Sequence, residues 1–333
     1  METTIEVHEP SQVGEVRRAA ADLARAEGMN DTEMGHVALV ATEVSTNLVK
    51  YAKRGSVTLA RFAEAGRRGI EIVATDRGPG FADFAASLRD GHSTSGSLGV
   101  GLGSIKRAST YFDVYSVAGQ GSAVLARVAK AAPGVGKAAP ALIASARSAP
   151  KRGQTECGDA WRIRDFGSRQ LICIVDGLGH GPLAASAAKQ AIAVVDAASP
   201  TDTAADILQS AHEQLKETRG VVMAVLALDA AAGTAVFCGV GNIMAVILQD
   251  AGSEHLLSIE GIAGYNLRKV RSQTASWKAN AVVILNTDGL SGRWNLAKYP
   301  GLLARHPSLI ASVLFRDHAR DTDDATIVVA KGM

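Results

Sequence analysis

The sequence predicts an α+β chain organised as two domains, and three observations carry that expectation. The chain has 333 residues, and at roughly 100–200 residues per domain this length favours two. Its first part runs from stretches of 3.6-residue apolar period into runs that alternate with period two, whereas its second part groups apolar strand-like runs and helical patterns in blocks, without strict strand–helix–strand alternation. Between the two lies AKAAPGVGKAAPALIASARSAPKR (129–152), with three Pro, many Ala and no acid, which reads as a linker holding at most one short helical piece. The expected division is therefore 1–128, a linker 129–152, and 153–333.

In chain order, apolar periodicity predicts helices over 11–27 and 31–53, then strands over 56–63 and 69–75. Arg67, Arg68 and Gly69 are expected in or near the hairpin turn joining that pair. Further strands are expected at 111–118 and 122–128, which gives a first domain of helices packed on a mixed or antiparallel sheet. Beyond the linker, strands are expected at 170–176, 221–228, 234–239, 243–248, 281–287 and 326–330, with helices at 182–197, 203–217 and about 307–319. That block arrangement suggests a second α+β domain built as a sandwich.

Composition narrows the classes of function. Lys and Arg number 35 against 33 Asp and Glu, and a net charge of +2 gives no electrostatic footprint for nucleic acid. With 47% hydrophobic and 20% charged residues, general disorder is excluded. Cys157, Cys173 and Cys238 form no C-x-x-C pair, which argues against a disulfide scaffold or a zinc knuckle. The opening METTIEVHEP carries three acids and no apolar run, unlike a signal peptide, and the longest apolar stretch (about 221–248) is broken by Asp229, several Gly and Asn242. A soluble, cytoplasmic protein with no membrane partner is the expectation.

No G-x-x-x-x-G-K-[ST] loop is present. Three other features align instead. Glu43 and Asn47 are four residues apart on the second helix, on a face other than that of Val37, Val40 and Val44; a carboxylate beside a carboxamide suits Mg²⁺. The strand 70–75 ends in Asp76-Arg77-Gly78-Pro79-Gly80-Phe81, where the carboxylate can accept from an exocyclic amine such as adenine N6 while the glycines let backbone approach a flat ligand. In GHSTSGSLGVGLGSI (91–105), Gly99-x-Gly101-x-Gly103 leads into a helical run, offering free N–H groups and a favourable dipole to phosphates. Singly, these are also what a solvated helix face, a strand-to-loop turn and a ligand-free glycine loop provide.

Their order and spacing together resemble the GHKL ATPase superfamily: ATEVSTNLVKYAKRG is similar to its N-box, DRGPGF to its G1 box and SLGVGLGSIKR to its G2 box, over roughly residues 5–128. The wording is nearest the RsbT and RsbW type of anti-sigma serine kinase. The resemblance implies a GHKL (Bergerat) α/β sandwich binding ATP with Mg²⁺. Asn47 would hold the Mg²⁺, and Glu43 would act as base or orient the attacking hydroxyl. Asp76 would bind adenine, with Gly78 and Gly80 beneath the ring, and Gly99, Gly101 and Gly103 would form the phosphate lid. Gly121-Ser122 falls where the family often has a Gly-Thr pair near the base. Such kinases often dimerise, so a homodimer is implied by resemblance alone.

The second half places acids at strand junctions: Asp159 before a strand, Asp176-Gly177 after LICIV, Asp288-Gly289 after AVVILNT, and Asp323-Asp324 before ATIVVA. Clustered carboxylates repel one another unless cations neutralise them, which suggests a site for two hard divalent ions, Mn²⁺ or Mg²⁺. GDAW, VDGLGHGPLA, NTDGLSG and DDATIVV, spanning about 155–331, resemble the type 2C metal-dependent protein phosphatases of the SpoIIE and RsbX branch, which implies an α-β-β-α sandwich. By that resemblance Asp176 would bridge both metals and the Gly177 carbonyl would bind one. Asp288 and Asp323 would complete the other, with Asp324 as the runner-up, and Asp159 would contribute through water. Water activated there would attack a serine or threonine phosphate in line. Many eukaryotic type 2C enzymes have His directly after the Asp-Gly; here Leu178 stands there and His180 follows two residues later, so the leaving-group acid is unassigned.

The resemblances together imply a bifunctional regulator of a bacterial partner-switching pathway. The first domain would phosphorylate a STAS-type antagonist protein and the second would remove such a phosphate, with a sigma factor or a downstream phosphatase as a further partner. Two alternatives stay open: a first domain that sequesters or activates a partner with ATP as a structural ligand, or one that senses nucleotide in front of a phosphatase.

Overall fold

The computed structural model describes residues 2–52, 54–64, 66–81, 101–131, 142–250, 252–267, 269–292 and 294–332. By compactness the chain forms two units, Met1–Pro140 with Asn295–Val313, and Ala141–Trp294 with Leu314–Met333.

The first unit contains β1 (Thr3–Val7), α1 (Pro10–Ala26), α2 (Asp31–Tyr51), β2 (Gly55–Glu64), β3 (Arg67–Asp76), α3 (Gly101–Ala108), β4 (Tyr111–Ser116) and β5 (Ser122–Ala129). Both long helices start with capping boxes: Glu9 with Gln12, and Asn30 with Glu33, whose backbone N–H groups and side chains are exchanged reciprocally. The strands form one sheet, β1-β2-β3-β5-β4, and every pairing is antiparallel. Val16, Ala20 and Ala24 of α1 and Val37, Val40, Val44 and Leu48 of α2 bury a stripe against Val57, Leu59, Ile70, Ile72, Val124 and Ala126, which gives this unit its core. The hairpin turn differs from expectation. Arg67, Arg68 and Gly69 pair with Glu64, Ala63 and Phe62 inside the ladder, and the left-handed turn residue is Gly66, at φ +75°. Gly69 is required for another reason: a methyl there would stand 2.1 Å from the Val128 carbonyl oxygen.

The other face of this sheet carries charge. Arg127 sits opposite Glu71 in the β3–β5 register and donates to Glu71 (2.8 Å) and Glu64 (2.7 Å), with its guanidinium 4.7 Å from the centre of the Phe62 ring. Ser308 Oγ donates to Glu71 at 2.8 Å, and His306 Nε2 lies 3.4 Å from Glu64, so the 295–313 segment completes the network within the first unit.

The second unit contains β6 (Leu142–Ala149), β7 (Asp159–Asp165), β8 (Arg169–Gly177), α4 (Pro182–Ala197), α5 (Ala204–Gln214), β9 (Val221–Asp229), β10 (Thr234–Val240), β11 (Met244–Gln249), β12 (Gly252–Leu256), β13 (Ser272–Ser276), β14 (Val282–Asn286) and β15 (Ala325–Gly332); α6 (Pro307–His318) precedes β15, and its first residues group with the first unit. Two antiparallel sheets, β13-β10-β9-β8-β7 and β12-β11-β14-β15-β6, pack face to face through Ile172, Ile174, Leu226 and Phe237 on one side and Ile247, Val283, Leu285 and Val328 on the other. Helices α4 and α5 cover the outer face of the first of these sheets with Ala188, Ala191, Val195, Ile207 and Leu208. Residues 142–149, expected in the linker, form a strand instead. Ala149 pairs with Ala325 and Leu142 with Gly332, so β6 owes its conformation to a partner strand far away in sequence.

Candidate functional site

In the first unit, Glu43 and Asn47 are half-buried on α2, on the face away from the buried Val37, Val40 and Val44. Gly101, the first residue of α3, packs against both: a methyl there would lie 3.4 Å from Asn47 Oδ1 and Nδ2 and 3.4 Å from Glu43 Oε2. At the C-terminal end of the same helix the chain leaves β3. Asp76 is buried, its Oδ1 accepts the Gly78 N–H at 2.6 Å, and its Oδ2 accepts the Ser122 hydroxyl. A methyl at Gly78 would lie 2.9 Å from the Tyr51 carbonyl oxygen, so the Asp76–Gly78 turn sits one helical turn, about 6 Å, beyond Asn47 along α2. Gly80 (φ +71°) stands so close to the Val117 carbonyl that a methyl would come within 2.6 Å, and the Phe81 N–H donates to Ser116 Oγ at 2.9 Å. Gly121 (φ +87°) crosses the Asp76 carbonyl at a distance no side chain allows. Gly103 is buried in the first turn of α3, and Gly99 lies outside the described residues.

In the second unit, Asp159 opens β7 and Asp176 nearly closes β8, and the two face each other in the β7–β8 register. Burial pushes Asp176 up to about 8, and Asp159, Asp288, Asp323 and Asp324 add to the rise. Burial likewise raises Asp159, to about 7, against hydrogen bonds from Thr287 and Thr326 and with Asp324 and Asp288 adding to the rise. These five carboxylates therefore share one electrostatic neighbourhood. Thr287 holds Asp159 in place, its hydroxyl donating to Asp159 Oδ2 at 2.7 Å and accepting the Thr326 N–H at 2.9 Å. Asn242 Nδ2 donates to the exposed Asp288 at 2.7 Å. Asp323 is exposed and accepts the Asp324 N–H at 2.9 Å, whereas Asp324 is buried and accepts the Lys151 N–H at 2.8 Å. Gly177 donates its N–H to the Gly158 carbonyl at 3.0 Å. His180 is exposed on the loop after it.

Two oxygens of this cluster, Asp159 Oδ1 and Asp324 Oδ2, are buried without a hydrogen-bond partner among the described residues. A methyl at Gly158 would collide with Asp324 Oδ2 at 2.6 Å. Orphaned acceptors amid mutually repelling carboxylates, in a donor set made only of oxygen, fit hard divalent cations. As they stand, no three acidic, His or Cys side chains among the described residues are drawn together tightly enough to ligate one ion. The raised carboxyls report proximity at Coulombic range. Thr287 and Asn242 were not among the residues that the sequence singled out.

Comparison with known proteins matches two separate parts of the chain. A family described as histidine kinase-like ATPase domain matches residues 7–128, and the stage II sporulation protein E (SpoIIE) family matches residues 167–332. The serine/threonine-protein kinase RsbT of Bacillus subtilis is 34% identical over 110 residues, which are 33% of this chain and 83% of RsbT. The phosphoserine phosphatase RsbX of the same organism is 28% identical over 143 residues, 42% of this chain and 71% of RsbX. A crystal structure of RsbX in complex with magnesium superposes with a TM-score of 0.51 at 21% identity, over 58% of this chain and 96% of that one. Among the described residues no helix is long and apolar enough to cross a membrane. The chain thus belongs to the histidine kinase-like ATPase family through its first part, homologous with RsbT, and to the SpoIIE phosphatase family through its second, homologous with RsbX.

Proposed function

We propose that the protein is a bifunctional regulator of a partner-switching pathway, with an ATP-dependent serine/threonine kinase at residues 1–128 and a metal-dependent phosphoserine/phosphothreonine phosphatase at 153–333. The observation that carries the reading is the group of five carboxylates with two orphaned buried oxygens, in a chain homologous with RsbX. Asp176, the Gly177 carbonyl, Asp288 and Asp323 would hold two Mn²⁺ or Mg²⁺, with Asp159 contributing through water. When bound, such ions supply Lewis-acid stabilisation of the phosphoryl oxygens and lower the pKa of water. Asp159 would orient that water, itself positioned by Thr287. The phosphoester and water yield the free hydroxyl and inorganic phosphate.

In the first unit, α2 carries Asn47 for Mg²⁺ and Glu43 to orient or deprotonate the incoming hydroxyl; Asp76, buttressed by Ser122 and Gly78, would accept from adenine, and Gly99, Gly101 and Gly103 would close over the phosphates. The γ-phosphoryl group moves to a serine or threonine oxygen and leaves ADP. A STAS-type antagonist phosphoprotein is the substrate class favoured by homology with RsbT and RsbX, with a sigma factor or downstream phosphatase as the further partner and a homodimer as the assembly. One experiment tests both activities: the wild type, Glu43→Ala and Asp176→Asn are incubated with ATP, Mg²⁺, Mn²⁺ and candidate STAS proteins, unphosphorylated and phosphorylated. Phosphotransfer should vanish in Glu43→Ala alone and Mn²⁺-dependent hydrolysis in Asp176→Asn alone. Full hydrolysis by Asp176→Asn refutes the metal assignment. Partner regulation that survives in Glu43→Ala while phosphotransfer dies makes the first domain a binding module.

A further inference from the structure

We propose that Arg219 binds the phosphoryl group of the phosphoserine or phosphothreonine substrate at the second-unit site, an assignment that rests on the phosphatase reading above. Position and the lack of a partner among the described residues carry it. Val221 pairs with Gly177 in the β8–β9 ladder, and continuing that register sets residue 219 opposite Gly179, three residues past Asp176. The backbone is pinned on both sides. The Leu178 N–H donates to the Gly220 carbonyl at 3.2 Å, and the Gly220 N–H donates to Thr218 Oγ1 at 3.0 Å. Gly220 holds φ +81° with Ile262 so close that a methyl would meet it at 2.6 Å. The guanidinium lies over the loop that follows the Asp-Gly pair: a methyl on Gly179 would stand 3.2 Å from Arg219 Nη1.

Other arginines of the unit are engaged. Arg162 pairs with Asp196, Arg164 donates to the Val195 and Ala198 carbonyls, and Arg169 donates to the Pro200 and Asp202 carbonyls. Arg219 is exposed and makes no hydrogen bond or ion pair with the described residues. A phosphate monoester dianion approaching five carboxylates meets repulsion that bound cations only partly remove. A free guanidinium at the mouth of the cluster offers two parallel donors matched to two phosphoryl oxygens. Its field also draws the anion in.

The test uses the full-length protein with Mn²⁺, a phosphoserine peptide as substrate and inorganic phosphate as competing probe. Arg219→Ala should raise KM and the inhibition constant of inorganic phosphate by about tenfold, with kcat changed far less, because the contact is made before as well as during the reaction. Arg219→Lys should recover part of the loss, charge being retained without the fork. Mn²⁺ affinity by calorimetry should be the same in all three proteins. An active wild type whose KM and phosphate inhibition move less than twofold on Arg219→Ala overturns the assignment, as does a loss confined to kcat. A wild type without Mn²⁺-dependent hydrolysis overturns the phosphatase reading itself, and the role of Arg219 falls with it.

Discussion

Glu64 and Glu71 in the first unit, and Asp159 and Asp176 in the second, are carboxylates on neighbouring strands of antiparallel sheets, yet among the described residues only the first pair has a cation of the chain between its members. Arg127 reaches Glu64 and Glu71 at 2.7 Å each, with its own side chain 6% exposed. Burial would raise Glu64, but the His306 hydrogen bond and the Arg127 charge outweigh it and hold this carboxyl below its ordinary value. Burial opposes the charge on Arg127 too, and Glu71 and Glu64 more than compensate. Asp159 and Asp176 have no such partner among the described residues; burial lifts them to about 7 and about 8. One acid group is neutralised by the fold and serves packing. The other carries raised carboxyls with no arginine of the described residues between them, the electrostatic pattern expected of a binding site rather than a structural one.

The largest expected effect comes from removing the internal counter-ion. Arg127→Met should destabilise the first unit by about 3–5 kcal/mol, since the buried Glu71 and the half-buried Glu64 would both lose the guanidinium that reaches them. Hydrogen exchange of β3 and β5 amides reads this unit; a loss under 1 kcal/mol, on the order of a surface pair, would break the contrast. In the second unit a charge removal should act the other way. All three tryptophans, Trp161, Trp277 and Trp294, belong to that unit, so their fluorescence reports it alone. In chelator at pH 8, Asp176→Asn should raise its stability by on the order of 1–2 kcal/mol, the wild-type carboxyl being about half ionised there against its environment.

The pH dependence follows from the same shifts. The carboxyls titrate at their ordinary value of 3.8 when unfolded, and folding moves Asp159 to about 7 and Asp176 to about 8. Between those limits the folded state binds more protons than the unfolded one, so stability in chelator should fall as pH rises from 4 to 8. Mn²⁺ displaces those protons, so its binding should tighten over that range with measurable proton release, and chelation should cost the unit more at pH 8 than at pH 6. Glu64, lowered rather than raised, has the opposite slope: its contribution is lost as pH falls through its ordinary value of 4.5, at the acid edge of this window. Calorimetry in two buffers of different ionisation enthalpy decides the matter; a pH-independent Mn²⁺ affinity would contradict the raised carboxyls.

Features fixed by local geometry were legible in the sequence. Glu43 and Asn47 share a face because four residues make about one helical turn, and the Asp76–Gly80 turn is dictated by glycines that tolerate crowding against Tyr51 and Val117. Asp159 and Asp176 were legible as acids at strand junctions, but their direct opposition required the β7–β8 register. What could not be read depends on partners distant in the chain. β6 is an Ala- and Ser-rich stretch that looks like linker until β15 pairs with it. Arg67-Arg68-Gly69 looks like a turn, yet the positive φ falls on Gly66. Asn242 interrupts an apolar run for no local reason, and its purpose appears only when its amide meets Asp288 across 46 residues.

Thr287 gives the smallest and most selective test of the contrast. Its hydroxyl is to Asp159 what Arg127 is to Glu71, a donor fixed by the neighbouring strand, but a neutral one: it lowers the Asp159 pKa without cancelling its charge. Thr287→Val keeps the shape and removes the hydroxyl, leaving the Thr326 N–H and Asp159 Oδ2 unmatched, at about 1 kcal/mol of stability in chelator. Without that donor Asp159 should hold its proton to still higher pH, and the pH at which Mn²⁺ binding reaches half its limiting affinity should shift upward, with affinity at pH 7 reduced by about tenfold. Thr287→Ser, which restores the hydroxyl, should recover both. A Thr287→Val protein that binds Mn²⁺ with an unshifted pH profile would mean that Asp159 is oriented by its burial alone, and that the second acid cluster depends on the fold no more than on its charge.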